Sequence, residues 1–461
     1  MNDKKIACLG IMMIALSIAT RCFFFPKELG HYDSFNFAFA LDFYHIPSLS
    51  PHFPGYPWYI LIAKLLYLCG CSKIVALTLP GFVASILSLW VLWKIADHYS
   101  FSFEQKSVLL LFYAWNPLVS VTSLKAFSDS LALFCFLMSF EQTLRTRSGH
   151  AGFWAALGLG VRPSYAILVF PLLWQNRSRF RFFSGIFAST LVPLLWFYSV
   201  HLSWNEVKLF LPGHFTQWGG TVFTQKSWFH WIWLFWTHAL GGFEFGRSKA
   251  RCIMLLFLTL PLWSSQRQAA FFFPKELKQW LLWYGLWFLV AQNLNNPRHL
   301  LPFLFPFALV LAGNLRKYFS VAFLLFIPYS LGTFSVLQDL QQPSLYTQFS
   351  EVVLKQYTPL DVKIYGGKLL RIFDEPISWK WNKREVVHFS EVETDLKVLE
   401  YCPPFILMTS EVRSIPSFWK EHADLRLKLE CSVWSYAPEQ EVYLYHFSRE
   451  TIQILIKEAR K

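Results

Sequence analysis

The sequence predicts a polytopic α-helical membrane protein with about nine spans, a broken helical hairpin and a small C-terminal α/β domain. Of its 461 residues, 54% are hydrophobic and 15% are charged, whereas soluble domains average roughly 45–50% and about 25%. The apolar residues form runs that can cross a bilayer core of about 30 Å. These observations exclude a disordered chain and a disulfide-rich mini-protein, and they disfavour a single soluble enzyme domain.

The basic excess lies in the apolar part of the chain. Of 42 Lys and Arg and 29 Asp and Glu, 16 and 18 follow residue 337. The first 337 residues therefore hold 26 basic and 11 acidic side chains (42 − 16 and 29 − 18), a net charge of +15. Cytoplasmic loops and pockets for phosphate-bearing lipids explain an excess placed there. Binding to nucleic acid would need a basic face on a soluble domain, so none is expected.

Apolar runs bounded by charged residues mark the predicted spans. Ile6–Phe25 follows Lys4 and Lys5 and is typical of an uncleaved signal-anchor that begins in the cytoplasm. The further spans are predicted at 74–93, 108–121, 131–140, 182–200, 252–263, 280–291, 300–313 and 319–336. Nine crossings place the first loop and the C-terminal part on the extracytoplasmic side. A further crossing at 229–240 would move the C-terminal part to the cytoplasm.

Two segments differ from simple spans. The first external loop is predicted to hold short interfacial helices at 34–43 and 58–68, separated by the proline-rich stretch 51–57. The run 153–174 has basic residues on both flanks, which indicates that it starts and ends on the same side. We therefore predict a hairpin broken at Gly158–Pro163, with Arg162 near its tip.

The composition changes at about residue 337, where alternating runs begin. They predict strands at 362–365, 405–408, 433–436 and 441–447, and helical character at 351–357 and 452–459. The chain is therefore divided into a transmembrane domain, 1–336, and an extracytoplasmic α/β domain, 337–461.

Acidic and basic side chains in apolar surroundings are the candidates for chemistry. Asp33 lies at the membrane face after the first span, where a carboxylate must be solvated or paired; alternatively, Asp33 or Ser34 caps the helix that follows. Arg162 needs an anion, either a lipid phosphate or a carboxylate such as Asp129. Asp129, in turn, is a candidate helix cap.

The loop His31–Leu41 with the turn Pro51–Pro57 resembles the first external loop of glycosyltransferase-C membrane enzymes, which use polyprenyl-phosphate sugars. The likeness is to a bacterial branch related to the protein O-mannosyltransferases. The matching residues are Asp33, Ser34, Ala38, Ala40, His52, Pro54, Gly55, Tyr56 and Pro57. Similar features follow at Asn116-Pro117 with Ser128-Asp129, at Gly158-x-Gly160-x-Arg162-Pro163, and at Asn296-Pro297-Arg298-His299-x-x-Pro302. The order covers residues 1–336, and the segment after Ser203 matches no motif.

The resemblance implies a cell-envelope glycosyltransferase of the plasma (inner) membrane, similar to mannosyltransferases. It would transfer a hexosyl or pentosyl group from a polyprenyl-phosphate donor to an extracytoplasmic lipid, glycan or protein. Asp33 would be the base for the acceptor hydroxyl, and direct attack would invert the anomeric carbon. Arg298 and Arg162 would bind the donor phosphate. The supporting residues would be Asp129, His52, Tyr56 and His299.

Structural roles are the alternatives for several of these residues. Arg298 would then be a snorkelling interfacial side chain, and the two histidines interfacial polar groups. Tyr56 is expected to anchor its turn rather than contact sugar.

No cofactor is predicted, and a divalent metal stays an open alternative that the sequence does not indicate. Asp33 is followed by Ser34 rather than by a second carboxylate, which argues against the metal site that some relatives have near the loop acid. Walker and dinucleotide-binding motifs are absent from the sequence.

Two other functions stay open. A lipid or glycan transporter would use the broken helix as a substrate path and would have internal repeats of its spans, which the sequence does not show. An oligosaccharide polymerase or ligase would use diphosphate lipids.

Overall fold

The computed structural model describes residues 3–46, 50–199, 272–292, 296–314, 329–334, 336–338 and 340–341, together with five strands between residues 363 and 447. The chain divides into two compact units. One comprises residues 1–27 and 36–341, and the other comprises residues 28–35 and 342–461. Twelve α-helices are described in residues 3–314, and the strands belong to the second unit.

The described helices lie close to most of the predicted segments. They are α1 (Asp3–Phe23), α2 (Tyr32–Asp42), α3 (Pro57–Leu68), α4 (Lys73–His98), α5 (Phe103–Ala114), α6 (Pro117–Leu124), α7 (Asp129–Leu144), α8 (Ser148–Val161), α9 (Val169–Gln175), α10 (Arg179–Ser199), α11 (Lys275–Ala291) and α12 (Leu301–Asn314). Short 3₁₀ helices occupy Pro163–Leu168 and Pro297–Leu300. The predicted span 252–263 and most of 319–336 lie outside the described residues, as does the possible crossing 229–240.

By length and composition, α4 is the one described helix that could cross a membrane by itself. A second candidate is the bent pair formed by α5 and α6, taken as a single broken span. Two further apolar stretches, Gly10–Phe23 and Pro57–Leu68, are shorter. The predicted number of spans therefore stays a prediction.

The predicted span 108–121 is divided between two helices, because the chain bends by 50° between α5 and α6. The side chain of Asn116 accepts hydrogen bonds from the backbone N–H groups of Leu118 (3.0 Å) and Val119 (3.2 Å). Pro117 is the first residue of α6. An asparagine cap followed by proline starts a new helix, so this apolar run forms two helices.

The predicted break in the hairpin is present at Arg162, where α8 ends. Pro163 has no N–H group to continue the helix and restricts the residue before it. At the other end of the hairpin, the backbone N–H of Ser178 donates to Ser148 Oγ (3.4 Å), and the Asn176 side chain donates to Thr143 Oγ1 (3.0 Å). The run therefore begins and ends at the same level of the bundle.

Glycine allows α8 and α10 to pack backbone against backbone. A Cβ atom at Gly152 would lie 1.9 Å from the carbonyl oxygen of Phe182, and one at Gly185 would lie 2.0 Å from that of Gly149. Small residues permit such close approach of membrane helices. The hairpin is thereby fixed to α10.

Aromatic side chains join α7, α11 and α12. The rings of Phe140, Trp280 and Phe305 pack edge to face in pairs, with centroids 5.1–5.8 Å apart. All three side chains are buried, and Trp280 Nε1 donates to the carbonyl oxygen of Pro302 (3.0 Å). This core fixes the start of α12 against α11.

A five-stranded mixed sheet is described in the second unit. Its strands are β1 (Lys363–Gly366), β2 (Asn382–Glu385), β3 (Phe405–Thr409), β4 (Asp424–Glu430) and β5 (Glu441–Phe447), in the order β2-β1-β3-β5-β4. β1 runs parallel to β2 and β3, and β5 runs antiparallel to β3 and β4.

Three of the four predicted strands coincide with β1, β3 and β5. The sequence pattern does not predict β2 and β4. The predicted strand at 433–436 and the helices at 351–357 and 452–459 lie outside the described residues, so the α/β class of this part stays a prediction.

Candidate active site

A buried ion pair lies at the break in the hairpin. Arg162 Nη1 is 3.1 Å from Asp129 Oδ2 and donates to Ser128 Oγ at 3.2 Å. The exposed fraction of the side chain is 4% for Arg162 and 0% for Asp129. Of the two partners that the sequence left open for Arg162, the structure thus has the carboxylate of Asp129.

The start of α7 and the end of α8 bring these charges together. Asp129 is the first residue of α7, and its side chain extends to Arg162 instead of capping the helix. Arg162 has an extended backbone (φ −149°) because α8 stops there. A pair of opposite charges this deeply buried avoids the large penalty of a single buried charge.

Two tyrosines surround the ion pair. The Tyr165 hydroxyl is 3.5 Å from Asp129 Oδ1, and its ring lies 5.4 Å from the Arg162 guanidinium. The ring of Tyr284 packs edge to face against Tyr165, with centroids 5.8 Å apart. Tyr284 also donates a hydrogen bond to the carbonyl oxygen of His299 (2.8 Å). The tyrosines therefore connect the hairpin to the turn that carries Arg298.

Arg298 belongs to the 3₁₀ helix Pro297–Leu300, whose first N–H groups are capped by Asn296. The Asn296 side chain accepts a hydrogen bond from the Arg298 backbone N–H (3.3 Å). The Arg298 guanidinium lies 4.7 Å from the ring centroid of Phe127, and Arg298 is 9% exposed. Because Tyr284 contacts both Tyr165 and the carbonyl oxygen of His299, the residue after Arg298, this turn is joined to the cluster at the break in the hairpin.

The proline-rich turn forms a second polar group in the helical unit. His52 Nε2 is hydrogen bonded to the Tyr56 hydroxyl (2.9 Å), and both rings pack on Phe37. Tyr56 has a left-handed backbone (φ 49°) immediately before α3. Tyr56 is thus held in its turn by His52 and Phe37.

Asp33 lies in the segment 28–35 of the second unit. It is in the first turn of α2 and 8% exposed. Its backbone N–H donates to His31 Nδ1 (3.0 Å), and that nitrogen is 3.9 Å from Asp33 Oδ2. The His31 ring thus accepts the N–H bond of Asp33 at this helix start, and the hypothesis that Asp33 or Ser34 caps the helix stays a hypothesis.

The structure therefore brings Arg162 and Asp129 together beside Tyr165, and it connects Tyr165 through Tyr284 to the turn that carries Arg298. His52 and Tyr56 form a hydrogen-bonded pair of their own, and His299 contributes its backbone carbonyl oxygen. Sequence reasoning missed Tyr165 and Tyr284 as members of this site, together with Phe127 and His31. The available signal for Tyr165 was its place three residues after Arg162, just beyond the proline that breaks the helix.

Within the residues that the structure describes, no group of three or more His, Cys, Asp or Glu side chains could hold a metal ion.

The fold is shared with a protein of solved structure. No protein-family model matches the sequence, and no curated protein matches it significantly. The crystal structure of ArnT from Cupriavidus metallidurans in the apo state is similar, with a TM-score of 0.58 and 12% identity over 96% of this chain and 98% of that one. The undecaprenyl phosphate-bound structure of the same protein has a TM-score of 0.58 and 11% identity, over 95% and 97% of the two chains.

This chain therefore shares the fold of ArnT over nearly the whole length of both proteins. The resemblance read from the loop and turn motifs agrees with this result. The narrower likeness to the branch of the protein O-mannosyltransferases gains no support from these neighbours and stays a prediction.

Proposed function

We propose that this protein is a membrane glycosyltransferase that uses a polyprenyl-phosphate sugar as donor. The observation that carries the proposal is the shared fold, over nearly the whole chain, with an enzyme whose structure holds undecaprenyl phosphate. A polyprenyl phosphate is what such a donor becomes when its sugar departs. Conserved topology alone does not identify the sugar or the acceptor.

The proposed reaction is a direct displacement at the anomeric carbon. The acceptor oxygen forms a bond to that carbon while its proton passes to the Asp33 carboxylate. The bond from the anomeric carbon to the phosphate oxygen breaks, and its electron pair leaves on the lipid phosphate. This sequence inverts the anomeric centre and needs one base and one cationic group.

Arg298 is the proposed ligand of the departing phosphate. Its guanidinium is held against Phe127, and it can bind two phosphate oxygens at once. Arg162 already has a carboxylate partner at 3.1 Å, so its contribution to the phosphate is smaller than that of Arg298. We propose that Asp129 positions Arg162, with Tyr56, His52 and the turn of His299 supporting the same cluster.

The proposal also assigns separate roles to the two parts of the chain. Residues 1–336 would bind the donor in the plasma (inner) membrane. The part from residue 337 onward would be an extracytoplasmic α/β domain, on the same side as the first loop. The acceptor would be an extracytoplasmic lipid, glycan or protein.

Release of free polyprenyl phosphate tests this function. Purified protein in detergent is given a panel of polyprenyl-phosphate sugars and a membrane extract as acceptor source, and the released lipid is measured by mass spectrometry. Wild type should release polyprenyl phosphate, and Asp33→Asn should release it about 100-fold more slowly or worse, as expected for loss of a general base.

The matched control is Asp42→Asn, at the other end of α2. The Asp42 side chain is 49% exposed and pairs with Lys73 at 2.8 Å, so this variant should keep wild-type release.

Equal rates for wild type and Asp33→Asn would remove Asp33 from the reaction. Movement of intact donor across a vesicle membrane without release would favour a transporter, and release from diphosphate lipids alone would favour a polymerase or ligase.

A further inference from the structure

A strongly basic surface surrounds the closed end of the hairpin, away from the break at Arg162. Arg147 precedes α8, and Arg177, Arg179 and Arg181 lie at the start of α10. All four side chains are exposed. The two segments touch, because Gly149 packs against the Arg181 carbonyl oxygen and Ser148 accepts a hydrogen bond from the Ser178 N–H. These four arginines are referred to below as the arginine collar.

No described carboxylate forms an ion pair with the collar. Of the carboxylates on adjoining segments, Glu141 is 6% exposed and is already paired with Arg145. Glu276 follows Lys275 at the start of α11, where its backbone carbonyl oxygen accepts a hydrogen bond from Gln175 (3.5 Å). The first turns of α8 and α10 contain no acidic residue, so the partial positive charge of both helix starts adds to the collar.

The collar also lies at the edge of an apolar stripe. Phe180, exposed over 82% of its surface, stands between two of the collar arginines. The stripe continues along α10 through Phe183, Phe187, Leu191 and Leu195, all exposed. It is about 22 Å long at 1.5 Å per residue, and in a membrane protein such a stripe faces the lipid chains. Trp174, 71% exposed, lies beside the same end, as is usual at a membrane–water interface.

We propose that the arginine collar binds the phosphate groups of anionic bilayer phospholipids and thereby fixes the depth of the hairpin in the membrane. Unpaired guanidinium groups at the end of a lipid-facing stripe stand at the level of the headgroups. Guanidinium binds phosphate oxygens in pairs, and anionic surfaces attract clusters of basic side chains beside a membrane segment. This role does not depend on the proposed transfer reaction.

Titration of delipidated protein with defined lipids tests the proposal. In neutral detergent, the rise in unfolding temperature with added phosphatidylglycerol or phosphatidylcholine gives an apparent dissociation constant for each lipid. Wild type should bind phosphatidylglycerol more tightly than phosphatidylcholine. The triple variant Arg177→Gln, Arg179→Gln and Arg181→Gln should weaken phosphatidylglycerol binding by roughly a hundredfold at low salt, at about fivefold for each charge removed.

The charge-preserving triple variant, with lysine at the same three positions, is the matched control. It should bind phosphatidylglycerol within a few-fold of wild type, and both triple variants should unfold at the wild-type temperature without lipid because the changed side chains are exposed. High salt should weaken binding to wild type and change the glutamine variant little. Equal affinity of wild type and the glutamine variant for phosphatidylglycerol would overturn the proposal, as would equal affinity of wild type for both lipids.

Discussion

Replacing Asp129 with asparagine should destabilise the helical unit by about 3–5 kcal/mol. The change leaves the Arg162 guanidinium, 4% exposed, without a charged partner among the described residues; an amide oxygen and Ser128 Oγ, at 3.2 Å, stay as neutral acceptors. Removing one partner of a buried pair has a penalty of this size because a charge stays buried without compensation. At roughly 2 °C per kcal/mol for a large domain, the unfolding temperature should fall by about 6 °C or more.

A double-mutant cycle separates the ion pair from simple loss of packing. Arg162→Met alone leaves the Asp129 carboxylate buried, whereas Asp129→Asn combined with Arg162→Met removes both charges. The double variant should therefore be at least about 2 kcal/mol more stable than the sum of the two single losses predicts.

Thermal unfolding in detergent, followed by intrinsic fluorescence, measures all four proteins of the cycle. Ser123→Ala, at a buried serine on α6 whose hydroxyl is bonded to the Ser120 carbonyl oxygen, is a control for a small neutral change in the same region. Strict additivity of the two single effects would refute the reasoning, and so would a wild-type unfolding temperature for Asp129→Asn.

Two further changes test the packing around the site. Gly152→Val should lower stability by about 1–3 kcal/mol or more, since its Cβ would lie 1.9 Å from the Phe182 carbonyl oxygen. Gly285→Ala, where the nearest atom to the new Cβ is 3.9 Å away, should be neutral or stabilising by up to about 1 kcal/mol; similar losses for both glycines would contradict the backbone contact of α8 and α10. Tyr284→Phe should cost about 1–3 kcal/mol by removing the 2.8 Å bond to the His299 carbonyl oxygen, and an unchanged unfolding temperature would show that this bond does not hold the turn.

Steady-state kinetics distinguish the proposed role of Arg298, which is binding of the donor phosphate, from that of Asp33, which is proton transfer. Arg298→Gln should raise the KM for a polyprenyl-phosphate sugar by about tenfold or more, because it loses a charge-assisted pair of hydrogen bonds. Asp33→Asn should lower kcat with little change in KM. Loss of kcat alone in Arg298→Gln would place that residue outside the phosphate site.

Much of the helical unit could be predicted from hydropathy and charge. α1, α4, α10, α11 and α12 lie close to predicted spans because long apolar runs end at charged residues. The bend after α5 escaped prediction, since the run is apolar throughout and the cap of Asn116 acts locally. The pair Asn116-Pro117 predicts the bend when its preference for a helix start is considered together with hydropathy.

The site could be predicted only as a set of candidates. The apolar sequence around Arg162 predicts that it has an anionic partner, but which partner it has, Asp129, depends on how α7 and α8 pack. The same holds for Tyr284, because the sequence around it is that of an ordinary aromatic-rich helix. The His31–Asp33 bond could not be predicted, because an imidazole nitrogen that accepts the N–H bond at a helix start is an uncommon alternative to aspartate or serine.

Sugar transfer from polyprenyl phosphate is tested most directly in proteoliposomes that contain the wild-type protein, a labelled polyprenyl-phosphate sugar and an acceptor extract. The amount of free polyprenyl phosphate formed is compared with the amount of labelled sugar on the acceptor. The proposed reaction should yield one free polyprenyl phosphate for each labelled sugar that appears on the acceptor, with the anomeric configuration inverted. Labelled donor that crosses the bilayer with its sugar still attached, and with no polyprenyl phosphate formed, would contradict the proposed transfer.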